Sequence, residues 1–432
     1  MSGRQALGRA LKHRNYRLFF FGQGISLIGT WVTRIAMSWL VYRLTNSALL
    51  LGVVGFAGQI PTFLLGPFAG VIVDRSDRYR LLIVTQVLSM LQSTLLAYDA
   101  LSGQVTAWHV AILAIWQGFI NAFDTPARQA FLVDMLESRD DLPNAIALNS
   151  SLVNVARLIG PSVAGVLIGV FGEGICFAID ASSYVAVLGA LFAMRIVARE
   201  RPVRNTRFFR EMREGFAYVA SFTPIRDLLW LLACVSLAGM PYAVLMPVFA
   251  TKVLHGGPHT LGWLMTSTGT GALCSALWLA SRTSVLGLGR IVSTASAVFG
   301  SALVGFSYSH SMWLSVPLLV LVGAGMMMQM AATNTLIQTL VEERMRGRVM
   351  SFYTMAFFGM TPFGSLLAGV VSERFSAQVA VRSGGVITLC AVALFIRRLP
   401  HLREQTRPVY ERLGILQPRA AEPEHAGDPA PP

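Results

Sequence analysis

The chain has 432 residues, of which 54% are hydrophobic and 13% are charged, and its mean hydropathy is +0.57. Soluble domains carry roughly a quarter charged residues, so this composition excludes an ordinary soluble protein and predicts an integral membrane protein. The net charge of +13 does not predict nucleic-acid binding, because the basic residues are concentrated in alternate loops between apolar runs.

Apolar runs long enough to cross a bilayer, which takes about twenty residues, recur about twelve times along the chain. They predict an all-α integral membrane fold. Their approximate limits are 16–41, 48–73, 81–99, 106–127, 144–171, 175–197, 227–251, 260–281, 288–308, 312–338, 347–371 and 377–397.

A densely charged turn separates the second run from the third. It holds five charges, which must lie at a membrane surface because a charge in hydrocarbon costs at least about 2.5 kcal/mol. Gly66 and Gly70 precede it on one helix face and predict close approach of a neighbouring helix. Asp74 and Arg78 would pair if the turn were helical.

The first half of the chain holds most of the polar residues inside apolar runs. Arg157 lies near the middle of the fifth run, where an arginine must face the interior of the bundle or a cavity. Arg34 and Asp180 lie in the outer halves of the first and sixth runs, so they are a candidate pair. Asp124 and Arg128 are one turn apart, and both a simple ion pair and proton handling remain open for them.

Charge patterning also predicts topology and domain limits. Basic residues crowd into the N-terminus, the central segment and the C-terminal tail, which places both termini in the cytoplasm. The central segment carries an amphipathic helical pattern around Phe208–Val219. The predicted organisation is an N-terminus at 1–15, a six-helix bundle at 16–198, a linker at 199–226, a second bundle at 227–398 and a partly disordered tail at 399–432.

Two short motifs recur at nearly one offset and predict a duplicated design. Residues 160–165, Gly-Pro-Ser-Val-Ala-Gly, parallel residues 364–369, Gly-Ser-Leu-Leu-Ala-Gly. A Leu-Gly pair opens the second run at Leu51 and the eighth run at Leu261. Two pseudo-symmetric six-helix bundles are therefore expected, with a ligand site near the middle of the membrane between them.

The tenth run is rich in methionine. Met326, Met327, Met328 and Met330 are compatible with an adaptable pocket for varied ligands. Ordinary packing of flexible apolar side chains is the more common role of such residues.

The pattern Gly-x-x-x-Asp-Arg-x-x-Arg at residues 70–78 resembles the signature loop of the major facilitator superfamily. This chain has Asp77 where the family usually has glycine, and Tyr79 where it has a second base. Residues 117–129, 144–150 and 154–161, together with Gly29-Thr30-Trp31, resemble a branch that includes the enterobactin exporter and predicted drug and macrolide effluxers, and this resemblance covers most of residues 15–195. The motif at 160–165 looks like the fifth-helix motif of the superfamily's exporters.

The resemblance implies the major facilitator fold, and together with the polar residues inside the apolar runs it gives three sets of candidate functional residues. The expected gating residues are Gly70, Asp74, Arg75, Arg78 and Arg128. The candidates for coupling or substrate contact are Arg34, Gln117, Asn121, Asp124, Arg157, Gln329 and Asn334. The antiporter-like motif comprises Gly160, Pro161 and Gly165.

The expected function is secondary active transport in the inner membrane. The substrate would be a small amphiphilic or hydrophobic molecule, siderophore-like or drug-like, exported by proton antiport from a monomer. No nucleotide-binding glycine loop, metal-ligand cluster or cofactor motif occurs in the sequence, and no enzymatic activity is expected. The alternatives are an importer or uniporter of the same fold, or a membrane-embedded enzyme or receptor without transport.

Overall fold

The structure is a computed structural model that describes residues 9–196, 208–282, 284–414 and 416. Within these residues, six side chains are not described: those of Pro67, Val71, Asp74, Arg139, Phe208 and Phe209. The expected linker residues 199–207 and the tail beyond 416 lie outside the described part of the chain.

The first half of the chain forms six long helices. They are α1 (Arg14–Thr45), α2 (Ala48–Arg75), α3 (Arg78–Leu101), α4 (Ala107–Phe131), α5 (Leu142–Phe171) and α6 (Glu173–Phe192). A shorter helix, Phe208–Ser221, follows and is called the linker helix here. It coincides with the amphipathic pattern that the sequence predicts.

The second half forms six more helices. They are α7 (Thr223–Val253), α8 (Pro258–Ala280), α9 (Leu288–Ser307), α10 (Met312–Leu340), α11 (Glu343–Arg374) and α12 (Ala377–Arg412). Within the described residues, ten of the twelve helices are long and apolar enough to cross a membrane. The other two, α4 and α8, have 25 and 23 residues.

Two helices of the second half depart from α-helical geometry near their middle. In α7, a π-helical turn at Val235–Gly239 is followed by a 3₁₀ segment at Met240–Leu245, which begins beside Pro241. In α11, a π-helical turn lies at Met355–Gly359. Proline removes a helix hydrogen bond and π turns insert an extra residue, so both helices can present side chains that a regular helix would not.

The twelve helices place the start of α1 and the end of α12 on one face, which we call the terminal face, and the loops after α1, α3 and α5 on the opposite face. The terminal face carries most of the basic residues of the described loops. They include Arg9, Lys12, Arg75, Arg78, Arg80, Arg282, Arg344, Arg346, Arg397, Arg398 and Arg403. Loops and helix ends at the opposite face hold Arg43, Lys252, Arg374 and Arg382.

Two peripheral segments pack beneath the second half at the terminal face. The linker helix docks on the start of α11, where Glu214 pairs with Arg348 and the Tyr218 hydroxyl lies 3.4 Å from the Glu342 amide nitrogen. Helix α12 continues to Arg412, into the segment that the sequence predicts as a tail. Leu402 there is 5% exposed, so this extension is packed against the bundle.

Candidate functional site

Two helix pairs join the halves, and glycines meet where each pair crosses. In the α5–α8 crossing, a Cβ built on Gly165 would lie 3.0 Å from the Cα of Gly262. In the α2–α11 crossing, a Cβ built on Gly52 would lie 3.0 Å from the Cα of Gly369. At this separation the backbones touch, and any side chain would force the helices apart.

These crossings pair the repeated motifs with one another. Gly165 closes the motif of α5 and meets Gly262, which belongs to the Leu-Gly pair of α8. Gly369 closes the corresponding motif of α11 and meets Gly52 of the Leu-Gly pair in α2. The repeated motifs therefore occupy equivalent positions in two crossings that are related by a pseudo-two-fold axis.

The glycine that opens each motif packs within its own half. A Cβ built on Gly160 would overlap the Cβ of Trp31 in α1. A Cβ built on Gly364 would overlap the backbone oxygen of Leu237 in α7. In each motif, therefore, one glycine packs against an adjacent helix of the same bundle and the other packs against the other half.

The α2–α11 crossing is aromatic in the middle and charged at the opposite face. The ring of Phe363 makes edge-to-face contacts with Phe56 and Phe63, with centroids 5.8 and 5.9 Å apart. At the start of α2, the Glu373 carboxylate accepts a 2.9 Å hydrogen bond from the backbone nitrogen of Ala48. A carboxylate at a helix N-terminus is favourable because the exposed N–H groups carry partial positive charge.

The α5–α8 crossing is polar in the middle. The hydroxyls of Ser162 and Thr266 are 2.6 Å apart and share a hydrogen bond. Pro161 lacks the N–H that would bond to the carbonyl of Arg157 one turn earlier. That carbonyl faces Gly269 of α8, whose built Cβ would lie 3.1 Å from it.

Toward the terminal face the halves separate. Cβ atoms built on Gly66, Gly70 and Gly347 would have no heavy atom of the described residues within 4 Å. The close helix packing expected at Gly66 and Gly70 is therefore wrong for this conformation, because no described helix packs against that face of α2. Among described side chains, every hydrogen bond that joins the two bundles lies in the middle of the membrane or at the opposite face.

The two arginines predicted inside the membrane come together at the centre. Their guanidinium carbons lie over one indole ring, that of Trp31, at 5.0 Å for Arg34 and 5.9 Å for Arg157. Arg157 also reaches the second half, where its Nη2 lies 3.8 Å from the sulfur of Met326. Arg34 is exposed although it lies inside the membrane-spanning part of α1, as expected for a side chain that faces the gap between the halves.

The expected pair of Arg34 with Asp180 is wrong. Asp180 is 2% exposed and accepts a 2.8 Å hydrogen bond from the Ser93 hydroxyl of α3. It packs against α1 at Gly29, whose built Cβ would lie 2.8 Å from the carboxylate. The carboxylate therefore faces the interior of the first bundle, whereas Arg34 faces Trp31 and the gap.

Asp124 is saturated by partners of its own half. One carboxylate oxygen accepts from Thr85 at 2.8 Å and from Gln86 at 2.7 Å, and the other pairs with Arg128. Asp124 is 4% exposed. The ion pair left open by the sequence is formed, and it engages Nη2 of Arg128.

The charged turn is a break between two helices. Asp77 caps α3 by accepting from the backbone nitrogens of Tyr79 and Arg80, at 3.0 and 3.3 Å. An aspartate N-cap stabilises a helix by about 1 kcal/mol, which gives Asp77 a structural reason to stand where glycine is usual. Arg78 donates to the Ala130 carbonyl at 3.0 Å and so ties the turn to the end of α4.

The other gating candidates contribute less to this geometry. Arg75 is exposed at the end of α2. The side chain of Asp74 lies outside the described atoms, so its partners stay a prediction. Arg348, at the start of α11, is engaged by Glu214 of the linker helix.

The amide candidates fall at three separate places. Gln117 donates to Asn121 at 3.1 Å inside the first half. Gln329 is 1% exposed in α10, and its amide nitrogen has no hydrogen-bond partner among the described atoms. Asn334 accepts from Gln338 at 2.6 Å and lines a groove of about 420 Å³ at the terminal end of α10. These residues do not converge with the two arginines into one site.

Two residues that make these contacts, Trp31 and Glu373, could not be identified from the sequence. Trp31 carries no charge, and nothing in the sequence around it indicates that arginines from two helices lie over its ring. Glu373 looks like an ordinary acid near a helix end, and its capping of α2 depends on a contact between the halves.

One protein family matches nearly the whole chain. The profile of the transmembrane secretion effector family covers residues 9–413. The chain belongs to that family of major facilitator transporters. It is therefore a multi-pass membrane transporter of a small molecule and not an enzyme.

Curated relatives cover nearly the same length. The chain is 27% identical to the staphyloferrin A transporter of Staphylococcus aureus over 88% of this chain and 95% of that protein. It is 24% identical to macrolide efflux protein A of Streptococcus pyogenes, and 27% identical to the multidrug efflux pump Tap of Mycolicibacterium fortuitum, with the same coverage.

Solved structures share the fold. A bacterial homologue of the human lysosomal transporter Spinster, in an inward-facing and unoccupied conformation, has a TM-score of 0.66 and 13% identity over 92% of this chain and 98% of its own. The nucleoside transporter NupG has a TM-score of 0.69 and 12% identity over 90% of this chain and 99% of its own. These matches confirm the predicted major facilitator architecture.

Proposed function

We propose that the protein exports a small organic molecule across the bacterial plasma membrane by alternating access. The observation that carries the proposal is the uneven contact between the halves. They are joined by both glycine crossings in the middle and at the opposite face, and they diverge at the terminal face. A pathway open to one face, lined by charged groups near the middle, is the arrangement that alternating access requires.

The terminal face is proposed to be cytoplasmic. Basic residues in short loops resist translocation across the membrane, and the terminal face carries most of them in the described loops. With this orientation the structure corresponds to a cytoplasm-open state. The turn with Asp74, Arg75 and Arg78 would then lie at the cytoplasmic entrance, where we propose that it acts in the inner gate.

Export rather than import is supported by two features. The motif with Gly160, Pro161 and Gly165 resembles the fifth-helix motif of exporters, and here it forms one of the two crossings. Two of the relatives named above are described as efflux proteins. The sequence holds no nucleotide-binding glycine loop, so we propose that proton entry drives export and that the working unit is a monomer.

Transport in oriented vesicles tests this function. Membranes from cells that express the protein would be prepared both inverted and right-side-out, and supplied with a panel of cationic, neutral and anionic fluorescent amphiphiles. The expected result is accumulation in inverted vesicles that requires a pH gradient and collapses with a protonophore. Gradient-dependent uptake only into right-side-out vesicles would identify an importer instead, and equilibration without a gradient would identify a uniporter.

A further inference from the structure

We propose that Arg34 and Arg157, with the ring of Trp31, form a binding site for an oxyanion of the transported molecule. The substrate class would then be an organic anion, a molecule that carries carboxylate or phosphate groups. This inference rests on the proposed function, because it places the substrate in the gap between the halves.

The first support is that two positive charges converge on one aromatic ring. Both guanidinium carbons lie within 6 Å of the centroid of the Trp31 indole ring. Like charges repel each other. An anion that contacts both guanidinium groups would replace this repulsion with two attractions.

The second support is the lack of a protein counter-charge. Among the described residues, no aspartate or glutamate pairs with Arg34 or Arg157 within 4 Å. Three acids of the described first bundle are buried and engaged elsewhere: Asp124 by Arg128, Glu173 by Arg43 and Asp180 by a serine of α3. An arginine inside the membrane is costly unless something neutralises it, and the described part of the fold supplies two without a partner acid.

The third support is the wall that faces the arginines from the second half. Met326 of α10 contacts Arg157 through its sulfur, and Tyr242, in the 3₁₀ segment of α7, lies within electrostatic reach of the same guanidinium. Thioether and aromatic groups offer an adaptable apolar surface. Such a wall suits the uncharged body of a molecule whose anionic group is held by the arginines.

Equilibrium binding of matched small probes tests the inference. The purified full-length protein in detergent would be titrated at constant ionic strength with glutarate, with dimethyl glutarate and with inorganic phosphate, and tryptophan fluorescence would be recorded. Glutarate and its dimethyl ester have the same diacid skeleton and differ in charge. We expect a saturable response to glutarate and none to the ester, while the phosphate titration distinguishes a carboxylate site from a general oxyanion site.

Substituted variants show which residues are needed for the response to glutarate. Because hydrogen bonds to charged groups are strong, Arg34→Gln and Arg157→Gln should each weaken glutarate binding about tenfold or more, and Arg157→Lys should recover part of it. Arg346→Gln removes one exposed charge at the terminal face and should leave binding unchanged. The chain has eight tryptophans, so loss of the signal in Trp31→Phe would assign it to this ring.

The outcomes separate the inference from the proposed function. Equal responses to glutarate and its ester, or unchanged binding in both folded glutamine variants, would overturn the anion site even if vesicle transport succeeds. Binding that follows the predicted pattern, together with uptake in the importing direction, would keep the site and overturn export. Arg157→Lys guards against misfolding of Arg157→Gln, because it keeps the positive charge, and its partial binding would support the site.

Discussion

The two crossings between the halves share one geometry and differ in chemistry. Both bring a pair of glycine backbones into contact, Gly52 with Gly369 and Gly165 with Gly262. The α2–α11 crossing is reinforced by phenylalanine rings and by the cap that Glu373 places on α2. The α5–α8 crossing instead has a hydroxyl pair and lies beside the central arginine.

This difference suggests that the two crossings have different roles although their backbone geometry is the same. Glycine contacts fix how close the halves approach in both crossings. The aromatic crossing contributes packing, whereas the polar crossing links closure of the opposite face to Arg157, because Pro161, Gly165 and Arg157 lie on the same helix. The repeated motifs account for the shared geometry, and the side chains around them give each crossing its own role.

The largest effect is expected from a bulky substitution that separates the two helices of either crossing. Gly165→Leu and Gly369→Leu each place a bulky side chain where the partner backbone lies about 3 Å from a built Cβ. The opposite face could then not close, and transport should fall about tenfold or more. Transport in vesicles at matched expression would measure this. Gly189→Leu in α6 is the matched control, since no described residue lies within 4 Å of its Cβ position, and an equal loss in that variant would refute the crossing model.

The opening glycines of the two motifs should respond differently to alanine. In Gly364→Ala the new Cβ meets a backbone oxygen of α7, so the fold itself should be destabilised and the melting temperature should fall. In Gly160→Ala it meets the Cβ of Trp31. That side chain would shift with α1, so anion binding should weaken more than stability. Melting curves and glutarate titrations of both variants test the contrast, which would fail if both lost stability equally.

Truncating single side chains should show how much the aromatic contacts and the hydroxyl pair each stabilise their crossing. Phe363→Ala removes two edge-to-face contacts, worth together about 1–3 kcal/mol, and should lower the melting temperature clearly. Ser162→Ala removes one hydroxyl pair, with a net value of about 1 kcal/mol, and should have less effect. Thermal unfolding in detergent compares them, and the reverse order would contradict the assignment.

A smaller shift in the conformational equilibrium is expected when the cap of α2 is weakened. Glu373→Gln keeps an acceptor but removes the charge at the helix N-terminus, an interaction worth about 0.3–1 kcal/mol. The population closed at the opposite face should therefore fall by a factor of at most about five. Accessibility of a single cysteine in place of Leu49, which leaves the Ser47 hydroxyl in place, to a membrane-impermeant reagent would report it, and unchanged accessibility would leave Glu373 without a role in closure.

Much of the architecture can be predicted from the sequence because hydrocarbon imposes simple rules. Apolar length locates the helices, and Arg157 is expected at a cavity because a charge inside the membrane needs a reason to be there. The repeated glycine motifs predict the symmetry, and the structure supplies their partners. The pairing of Arg34 with Asp180 is wrong because two residues at similar depth can face opposite sides of a bundle, which depth alone does not determine.

Contacts between distant segments account for the rest. Asp77 departs from the family pattern, and only the break between α2 and α3 explains it as a cap. Close packing at Gly70 is a reasonable expectation from the sequence, but helix packing depends on the conformational state, and no described helix packs against the Gly70 face of α2 here. The convergence of Trp31 with two arginines from different helices requires the three-dimensional fold.

The central claim is that the opposite face must open and close at the crossings during transport. Ser162→Cys with Thr266→Cys, in a chain whose four native cysteines are replaced by serine, would test it, because the native hydroxyls are 2.6 Å apart. The control pair is Ser309→Cys with Ser315→Cys, whose hydroxyls are 2.9 Å apart within the second half. We predict that oxidation abolishes transport only in the first pair and that a reductant restores it. Full cross-linking of the first pair with unchanged transport would contradict the account.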